Sequence, residues 1–544
     1  MAFIIETSYF LLIFLIFCVA KLMHERIINQ RLTKSRQAPP PPGPVPWPIV
    51  GCVPEMLRSE SPFRWILSWM KEMDTNIACF RLGNVHVIPV TCPKIALEFL
   101  RKQDAVFASR PLSIASHTFS GGYKTAILSP YGESWKKMKK VLASEVLSLS
   151  RHQWLHDKRA EEADNLVRYI YNQSKNSGSV NVRMACCHFC TNVVRRMMFN
   201  RRYFAENILD DGAPTFREEE HVNALFTTIN YLYAFCISDY LPYLVGLDLD
   251  GHEKIIKDAN KTILKYHDPI IRERMRKWRE NDRGMFRDEN ELKRIEPQDL
   301  LDVLISLRDA EGMPLLTQEE ITAQTWEIMI ATIDNPANAA EWALAEMINN
   351  PEILDKAVEE LDRVVGKERL VQEQDIPHLN YIKACAREAF RLHPVAVFNV
   401  PHLSLSDTVV AGYHIPKGSH VLLSRTGLGR NPKVWDRPLE FRPERHLAND
   451  DDGSMHQCSP KEVVLTEPDL RFISFGTGRR GCIGTTLGTT LTVVLLARMV
   501  QGFSWLKPPG ISKINLVASE TKLQSAVKPV VACAKPRLPR HLYP

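Results

Sequence analysis

The chain has 544 residues, of which 45% are hydrophobic and 24% are charged, and its formal net charge is +6. This composition is typical of a globular protein. The modest positive charge comes without a basic tail or a nucleic-acid-binding motif, and it argues against a nucleic-acid partner. No clear linker follows residue 50, so we expect one large folded unit.

Residues 3–23 form a mostly apolar stretch that is long enough to cross a membrane as one helix. No small-residue cleavage site stands out, so we predict an uncleaved anchor over residues 1–24. The positive-inside rule places the body of the protein on the cytosolic side, because the next residues include Arg26, Arg31, Lys34 and Arg36. The run APPPPGPVPWP completes a basic, proline-rich hinge over residues 25–48. The alternative is that the apolar stretch is a buried helix of the globular unit.

The body of the chain, residues 49–544, has a mainly helical pattern. Short strand-like runs such as NVHVIPV occur between residues 55 and 110, and helical periodicity dominates from about 131 to 380. The segment PEILDKAVEELDRVVG predicts a helix that ends at Gly366. TVVAGYHIPKGSHVLLS alternates and turns as a small sheet does, and after a long coil a last helix is expected over residues 482–501. The fold class is therefore mainly α with small β-sheets.

The twelve cysteines are scattered, without the paired spacings of a disulfide framework, and we interpret them as thiols. Cys186, Cys187, His188 and Cys190 form one short cluster. A zinc site needs a second pair of ligands at a matching spacing, and none is present. The cluster therefore predicts a buried helix face.

A long helix is predicted from a capping box at Thr317 to a stop before Pro351. Its middle, IMIATIDNPANAAEW, contains Pro336 directly after Asp334 and Asn335. A proline inside a helix removes a backbone hydrogen bond and costs about 3 kcal/mol, so we predict a break here. Such local inconsistency is typical of a functional site, and a kink that serves packing is the alternative.

The strongest motif is FISFGTGRRGCIG, which follows the order F-x-x-G-x-R-x-C-x-G from Phe475 to Gly484. Glycines allow a backbone to loop closely around a sulfur atom. Cys482 ends the loop and opens a helix, whose N-terminal N–H groups favour a thiolate. A core thiol is the alternative, but the whole pattern argues against it.

This pattern resembles that of the cytochromes P-450, the haem-thiolate monooxygenases, and the resemblance covers nearly the whole chain. It implies the cytochrome P-450 fold for residues 49–544, preceded by a transmembrane anchor helix, and haem b with Cys482 as axial ligand of the iron. A thiolate ligand pushes electron density onto iron and favours O–O cleavage. The resemblance also implies O2, NADPH–cytochrome P-450 reductase, and a single-pass location in the endoplasmic reticulum membrane.

Other segments match further family positions. EAFR and FRPERHL supply the charge cluster that holds the core beneath the haem in the family, here Glu388, Arg391 and Arg445. The family's haem contacts match Trp135, Lys139, His402 and Arg480. The family usually has Arg where Lys139 stands. Lysine is a point charge and not a planar fork, so two-point binding of a haem propionate is in question there.

In the family, the central helix carries A/G-G-x-D/E-T-T/S, whose acid and alcohol help to deliver protons to bound oxygen. Here the sequence is A-T-I-D-N-P, so Asp334 keeps the acid, and Asn335 and Pro336 replace the hydroxyl pair. An Asn-Pro pair at this place is known in a branch of plant cytochromes P-450, the amino-acid N-hydroxylases that form aldoximes. The segments HPVAVFNVPHLS and HFCTNVVRRMMF also match that branch. We expect all three residues to be catalytic.

The resemblance implies that the enzyme hydroxylates the nitrogen of an L-amino acid twice and yields the aldoxime with loss of carbon dioxide. Tyrosine or phenylalanine is favoured, in specialised metabolism such as that of cyanogenic glucosides, glucosinolates or volatile aldoximes and nitriles. Thr332, Phe398 and Asn399 are predicted to line the substrate pocket. Three alternatives stay open: a carbon-hydroxylating monooxygenase, an oxygen-independent haem-thiolate isomerase or dehydratase, and an inactive haem protein that acts as a membrane-bound partner.

Overall fold

The computed structural model describes residues 38–59, 61–204, 216–232, 234–282, 296–447, 462–517 and 528–543. The predicted anchor and residues 25–37 of the predicted hinge lie outside these ranges. Within them, the structure contains no helix with the length and apolar character that a membrane crossing requires.

The predicted mainly helical fold with small sheets is confirmed. The helices are α1 (Val53–Arg58), α2 (Pro62–Glu72), α3 (Pro93–Leu97), α4 (Ile114–Phe119), α5 (Glu133–Val141), α6 (Leu149–Trp154), α7 (His156–Ser177), α8 (Val182–Phe199), α9 (Phe216–Leu232), α10 (Ile237–Tyr240), α11 (His252–Asp282), α12 (Leu300–Ser306), α13 (Gln318–Asn349), α14 (Pro351–Val364), α15 (Asn380–Leu392), α16 (Arg425–Gly429) and α17 (Thr485–Gly502). The strands are β1 (Phe80–Leu82), β2 (Val85–Val90), β3 (Val180–Asn181), β4 (His402–Leu403), β5 (Thr408–Val410), β6 (Tyr413–Ile415), β7 (His420–Leu423), β8 (Phe503–Leu506) and β9 (Val531–Pro536).

The strands form three small sheets. The largest has the order β1-β2-β7-β4, in which β2 and β7 are parallel and the other pairs are antiparallel. A second sheet has the order β3-β9-β8, and β5 and β6 form a hairpin. The segment TVVAGYHIPKGSHVLLS was predicted to be one small sheet, but its last strand, β7, belongs to the largest sheet because β7 pairs with the distant strand β2.

The long predicted helix is confirmed as α13, which runs through the core against α8, α15 and α17. The predicted capping box is present: the Thr317 hydroxyl accepts the Glu320 N–H at 3.2 Å, and the Glu320 carboxylate accepts the Thr317 N–H at 2.9 Å. Near the other end, the Trp342 ring stacks on the His393 ring with their centroids 4.2 Å apart. The helix is therefore fixed locally at its start and by packing along its length.

The predicted break at Pro336 is wrong, because α13 continues through this residue without interruption. Pro336 has no N–H, so the carbonyl of Thr332 lacks its usual helical donor. The neighbouring Ile333 and Ala337 are buried. Most helical stability in proteins comes from packing of this kind, which keeps the helix intact despite one missing hydrogen bond.

Two other local expectations are refined by the structure. The last helix, α17, begins at Thr485 and not at Cys482, because the cysteine belongs to the loop. The cluster of Cys186, Cys187, His188 and Cys190 lies on the buried helix α8, as predicted. The His188 ring lies 3.1 Å from the Asn192 amide on the same helix.

The three residues of the predicted charge cluster meet in the core. The Arg391 guanidinium donates two hydrogen bonds to Glu388, at 2.7 and 2.8 Å, and Arg445 Nε donates to the same carboxylate at 2.9 Å. The structure adds His446, whose Nε2 lies 2.7 Å from Glu388 Oε2. Burial alone would raise the pKa of Glu388, but the bonds from Arg391 and His446 outweigh it and hold the pKa at about 2.

We expect Glu388→Ala to destabilise the protein strongly, because it leaves the buried Arg391 without its carboxylate. Breaking a buried ion pair from one side costs about 3–5 kcal/mol. Urea unfolding followed by circular dichroism measures the free energy of unfolding. Arg442→Ala is the control: it removes an exposed pair with Asp436 and should cost less than about 1 kcal/mol. Equal losses in the two variants would contradict a special role for the cluster.

Candidate active site

A cavity of about 320 Å³ lies between α13 and the loop that ends at Cys482. On one side it is lined by Thr332, Asp334, Asn335 and Pro336 of α13. Its other walls include loop residues 473–477 and 479–484, residues 394–396 and 398–400, and Trp135 and Lys139 of α5. The structure thus brings every predicted catalytic, haem-contacting and substrate-pocket residue to one cavity: Trp135, Lys139, Thr332, Asp334, Asn335, Pro336, Phe398, Asn399, His402, Arg480 and Cys482.

The cysteine loop is shaped by glycines and by one backbone hydrogen bond. Gly476 and Gly478 have φ angles of 68° and 75°, a region that favours glycine. A β-carbon on Gly478 would lie only 2.4 Å from the carbonyl oxygen of Leu100, so this position cannot accept a side chain without displacing the backbone. The Cys482 N–H donates to the Phe475 carbonyl at 2.8 Å and closes the loop just before α17.

The protein alone does not favour ionisation of the Cys482 thiol. The Cys482 side chain is exposed towards the cavity. The protein around it keeps bulk water away and raises the pKa of Cys482, and the Gly484 backbone, the Thr485 hydroxyl and the Arg425 charge lower it by less. A coordinated metal ion reverses this balance, since the thiolate is the form that binds metals and the bound thiol is deprotonated. The site therefore suits a sulfur that becomes ionised when it binds a metal ion.

Arg480 is fixed by three backbone carbonyls and one aromatic ring. It donates to Ala108 at 2.5 Å, to Ala126 at 3.0 Å and to Ser129 at 2.7 Å. Its guanidinium carbon lies 4.5 Å from the centre of the Trp135 ring. Burial, followed by repulsion from a neighbouring arginine, lowers the pKa of Arg480 to about 9. A bound anion would therefore be stabilised beside it.

That neighbour is Arg110, a residue that the sequence analysis missed. Its Nε donates to the Ile127 carbonyl at 3.1 Å, and its Nη1 donates to Val400 at 3.0 Å and Pro401 at 2.8 Å. The side chain is 7% exposed and lines the cavity. Its signal in the sequence is one arginine in the mostly apolar run FASRPL, and that run does not reveal which way the side chain points.

Lys139 and His402 complete the polar side of the cavity. Lys139 Nζ donates to the Arg479 carbonyl at 2.7 Å and lies 5.1 Å from the centre of the Trp135 ring. His402 Nδ1 lies 2.8 Å from the Phe107 carbonyl, which fixes the ring. Burial, followed by the charge of a nearby arginine, lowers the pKa of His402 well below its usual value.

Glu327 of α13, also missed, connects this helix to the segment that holds the arginines. Its buried carboxylate accepts the Ala126 N–H at 2.8 Å and also the Ile127 N–H. The carbonyls of the same two residues accept hydrogen bonds from Arg480 and Arg110. Burial raises the pKa of Glu327 to about 7, against these hydrogen bonds. Glu327 is thus a positioning residue for both arginines.

The residues of α13 that line the cavity differ in their hydrogen bonding and charge. Burial raises the pKa of Asp334 to about 7, against the charges of Arg183 and Arg425, and no described residue donates a hydrogen bond to its carboxylate. The Thr332 hydroxyl donates to the Ile328 carbonyl at 2.7 Å. The Asn335 side chain is exposed on the cavity side and makes no hydrogen bond with a described residue.

Phe398 and Asn399 both lie on the cavity wall, but they differ in what they contact. Asn399 Oδ1 accepts the Leu423 N–H at 2.8 Å, and the backbone N–H of Asn399 donates to the Leu423 carbonyl at 3.1 Å. The side-chain oxygen of Asn399 is therefore bonded to β7. Phe398 is 5% exposed, and its ring centroid lies 5.8 Å from that of Phe63. Phe398 is therefore the one of the pair whose side chain is free to shape an apolar pocket.

The residues present fit haem. One thiol stands at the start of a helix, glycines leave room for a close approach, and Phe475, Ile483 and Leu487 supply apolar surface. Arg110, Lys139 and Arg480 offer cations for two propionates on the same cavity. The bound group would also supply the metal ion that the Cys482 thiol needs for ionisation.

The fold and this site define a haem-thiolate enzyme. A family model described as Cytochrome P450 matches residues 41–530, and the chain belongs to that family. It is a cytochrome P450 monooxygenase with haem as its cofactor, as the sequence analysis expected.

The chain is also similar to plant enzymes named for one reaction. Tyrosine N-monooxygenase of Sorghum bicolor is 59% identical over 93% of this chain and 88% of the relative. Valine N-monooxygenase 2 of Manihot esculenta is 56% identical over 94% of this chain and 90% of the relative. Tryptophan N-monooxygenase 1 of Arabidopsis thaliana is 54% identical over 95% and 92%, respectively. The predicted similarity to the plant amino-acid N-monooxygenase branch is confirmed.

We expect Cys482→Ser to abolish turnover and the thiolate spectrum of the reduced, carbon monoxide-bound protein, because serine replaces the sulfur ligand. Absorption difference spectra and haem content measure the outcome. Cys92→Ser is a matched control, since Cys92 is half-buried and does not line the cavity. A thiolate spectrum that survives in Cys482→Ser would show that another cysteine holds the iron.

Proposed function

We propose that the enzyme hydroxylates the amino nitrogen of an L-amino acid twice and forms the corresponding aldoxime with loss of carbon dioxide. The observation that carries the proposal is the sequence Asp334-Asn335-Pro336 on the wall of the cavity that Cys482 also lines. The relatives named as amino-acid N-monooxygenases support it. Tyrosine or phenylalanine is favoured, and the aldoxime would serve specialised metabolism.

Haem, when bound, supplies oxygen activation and accepts electrons from a redox partner. The chain's own residues orient the substrate and move protons. Asp334 has a pKa of about 7, so near neutral pH both its protonated and its ionised forms are well populated. A group of this kind can take up and release a proton at working pH, which is the requirement for general acid–base catalysis.

Asn335 is our candidate for the role of the missing hydroxyl. Thr332 cannot supply it as a donor, because its O–H is given to the Ile328 carbonyl. The Asn335 amide is exposed on the cavity side, and it is the polar group next to the carboxylate of Asp334 in the chain. Asn335, or a water beside Pro336, would therefore support the delivery of protons from Asp334.

The electron donor we propose is NADPH–cytochrome P-450 reductase. The exposed Lys136 and Lys140 on α5, with Arg479 in the cysteine loop, give this side of the protein basic groups for an acidic partner. The apolar stretch at residues 3–23 supports a single-pass location in the endoplasmic reticulum membrane with the catalytic unit cytosolic.

The function is tested by incubating the membrane-bound enzyme with reductase, NADPH and a panel of free amino acids, and by searching for aldoximes by mass. Aldoxime from one or a few amino acids would support the proposal and identify the substrate. Products that are hydroxylated on carbon and keep an unchanged amino group would favour a carbon hydroxylase. Turnover that does not need NADPH would favour an isomerase or dehydratase.

We expect Asn335→Ala to lower aldoxime formation and the coupling of oxygen use to product, while substrate binding is kept. Loss of one proton-transfer group costs about a hundredfold or more in rate. Oxygen consumption compared with aldoxime yield measures the coupling. Asn335→Ser, which restores a hydroxyl, should recover part of the activity. Unchanged yield and coupling in Asn335→Ala would remove Asn335 from the mechanism.

We expect Phe398→Ala to change the preference among amino acids, because it removes a ring from an apolar wall. Loss of such contacts is worth about 1–3 kcal/mol per group in a pocket. The ratio of kcat/KM between large and small amino acids measures the change, and Phe441→Leu, away from the cavity, controls for loss of stability. An unaltered ratio would exclude Phe398 from the substrate wall.

A further inference from the structure

A second chamber, of about 80 Å³, adjoins the haem cavity. The two spaces share wall residues, which include Arg110, Leu128, Leu232, Phe398 and Asn399. The other walls of the chamber come from the start of α4, from α10 and from the strands β2 and β7. The chamber is therefore a space that a substrate can occupy next to the reaction site.

The walls of the chamber combine aromatic rings with one group of each charge. Phe63 lies 5.0 Å from Phe235 and 5.8 Å from Phe398, measured between ring centroids. Among the described residues that line the chamber, the carboxylate is that of Asp239 and the guanidinium is that of Arg110. Burial lowers the pKa of His420, on another wall, to about 4, so it adds no positive charge near neutral pH.

Asp239 is a carboxylate with no cationic partner in the described part of the chain. One oxygen accepts the Ile114 N–H at 2.8 Å, and no described lysine, arginine or histidine forms an ion pair with it. Burial, together with the carboxylates of Asp250 and Glu253, raises its pKa to about 6, against the lowering effect of the Ile114 hydrogen bond. An ammonium group in the chamber would offset this cost, since an opposite charge nearby favours the ionised form.

We propose that this chamber is the entrance site for a zwitterionic α-amino acid, where Asp239 pairs with its ammonium group. The phenylalanine rings contact its side chain, and its carboxylate is directed towards Arg110, where the chamber meets the haem cavity. This inference rests on the proposed function, and it names a specificity-determining residue for it. The mixed apolar and charged walls match an amino acid better than a neutral molecule.

A structural role for Asp239 is the competing explanation, because its carboxylate ties α10 to the start of α4. The variant Asp239→Asn separates the two roles. Asparagine keeps an oxygen that accepts the Ile114 N–H, and it removes the negative charge. Asp248→Asn is the matched control: Asp248 lies in the same segment, accepts the Glu253 N–H at 2.8 Å and does not line the chamber.

The test is the rate at which ligands reach the haem, measured by stopped-flow absorption with the complete enzyme. The ligands are the amino acid that is turned over and its analogue with hydrogen in place of the amino group. We expect Asp239→Asn to lower the association rate constant of the amino acid about tenfold. This rate constant depends on how tightly the entrance site holds the amino acid in the first step, and the loss of one charged contact weakens that binding by about this factor. The rate for the analogue should not change, and Asp248→Asn should alter neither.

Two outcomes would overturn the inference: an equal change for both ligands, which indicates a structural role, or no change for the amino acid. The aldoxime assay on the wild-type enzyme judges the proposed function separately. If the wild-type enzyme forms aldoxime and Asp239→Asn leaves the association rate constants unchanged, the proposed function is supported and the entrance site is rejected.

Discussion

The buried carboxylate of Glu388 holds together the part of the protein from which the thiol is presented. Its side chain has no exposure to solvent and accepts hydrogen bonds from Arg391 and Arg445. Arg391 in turn donates to the carbonyls of Gly429 and Pro438. The irregular chain between α16 and residue 446 has little regular structure of its own, so these charge-assisted bonds fix its course. The cysteine loop follows shortly after this chain.

The helix α13 provides the other half of the site. Its capping box and its packing against α8 and α17 make it rigid enough to carry polar residues inside the core. The helix tolerates the missing donor of Pro336 because the neighbouring Ile333 and Ala337 are buried, and the charges of Arg183 and Arg425 partly offset the burial of the Asp334 carboxyl. Rigid placement of a carboxyl whose pKa is close to 7 is what proton delivery requires.

Charged groups of both signs line the cavity and the chamber beside it. Cations are concentrated where haem propionates would lie, at Arg110, Lys139 and Arg480. Carboxylates line the same spaces, at Glu327 and Asp334 of α13 and at Asp239 in the adjoining chamber. A zwitterionic substrate carries one positive and one negative group. Cations and carboxylates at different places on the walls can therefore orient the amino group of an amino acid and its carboxylate in different directions.

The sequence by itself determined the features that depend on residues close together in the chain. The cysteine loop from Phe475 to Gly484, the capping box at Thr317 and the i, i+3 pair of Glu388 and Arg391 are local patterns with local causes. They were enough to predict the haem ligand, the central helix and the family. Even the break expected at Pro336 was a local inference, and it failed because tertiary packing held the helix together.

Tertiary structure alone decided which distant groups meet. Glu327 accepts a hydrogen bond from Ala126, 201 residues away, and Arg110 reaches a carbonyl 291 residues further on. His446 joins the Glu388 cluster, and Asp239 faces a chamber whose other walls come from several elements. No local pattern shows that these residues meet their partners, because burial, contacts and pKa values depend on the folded chain.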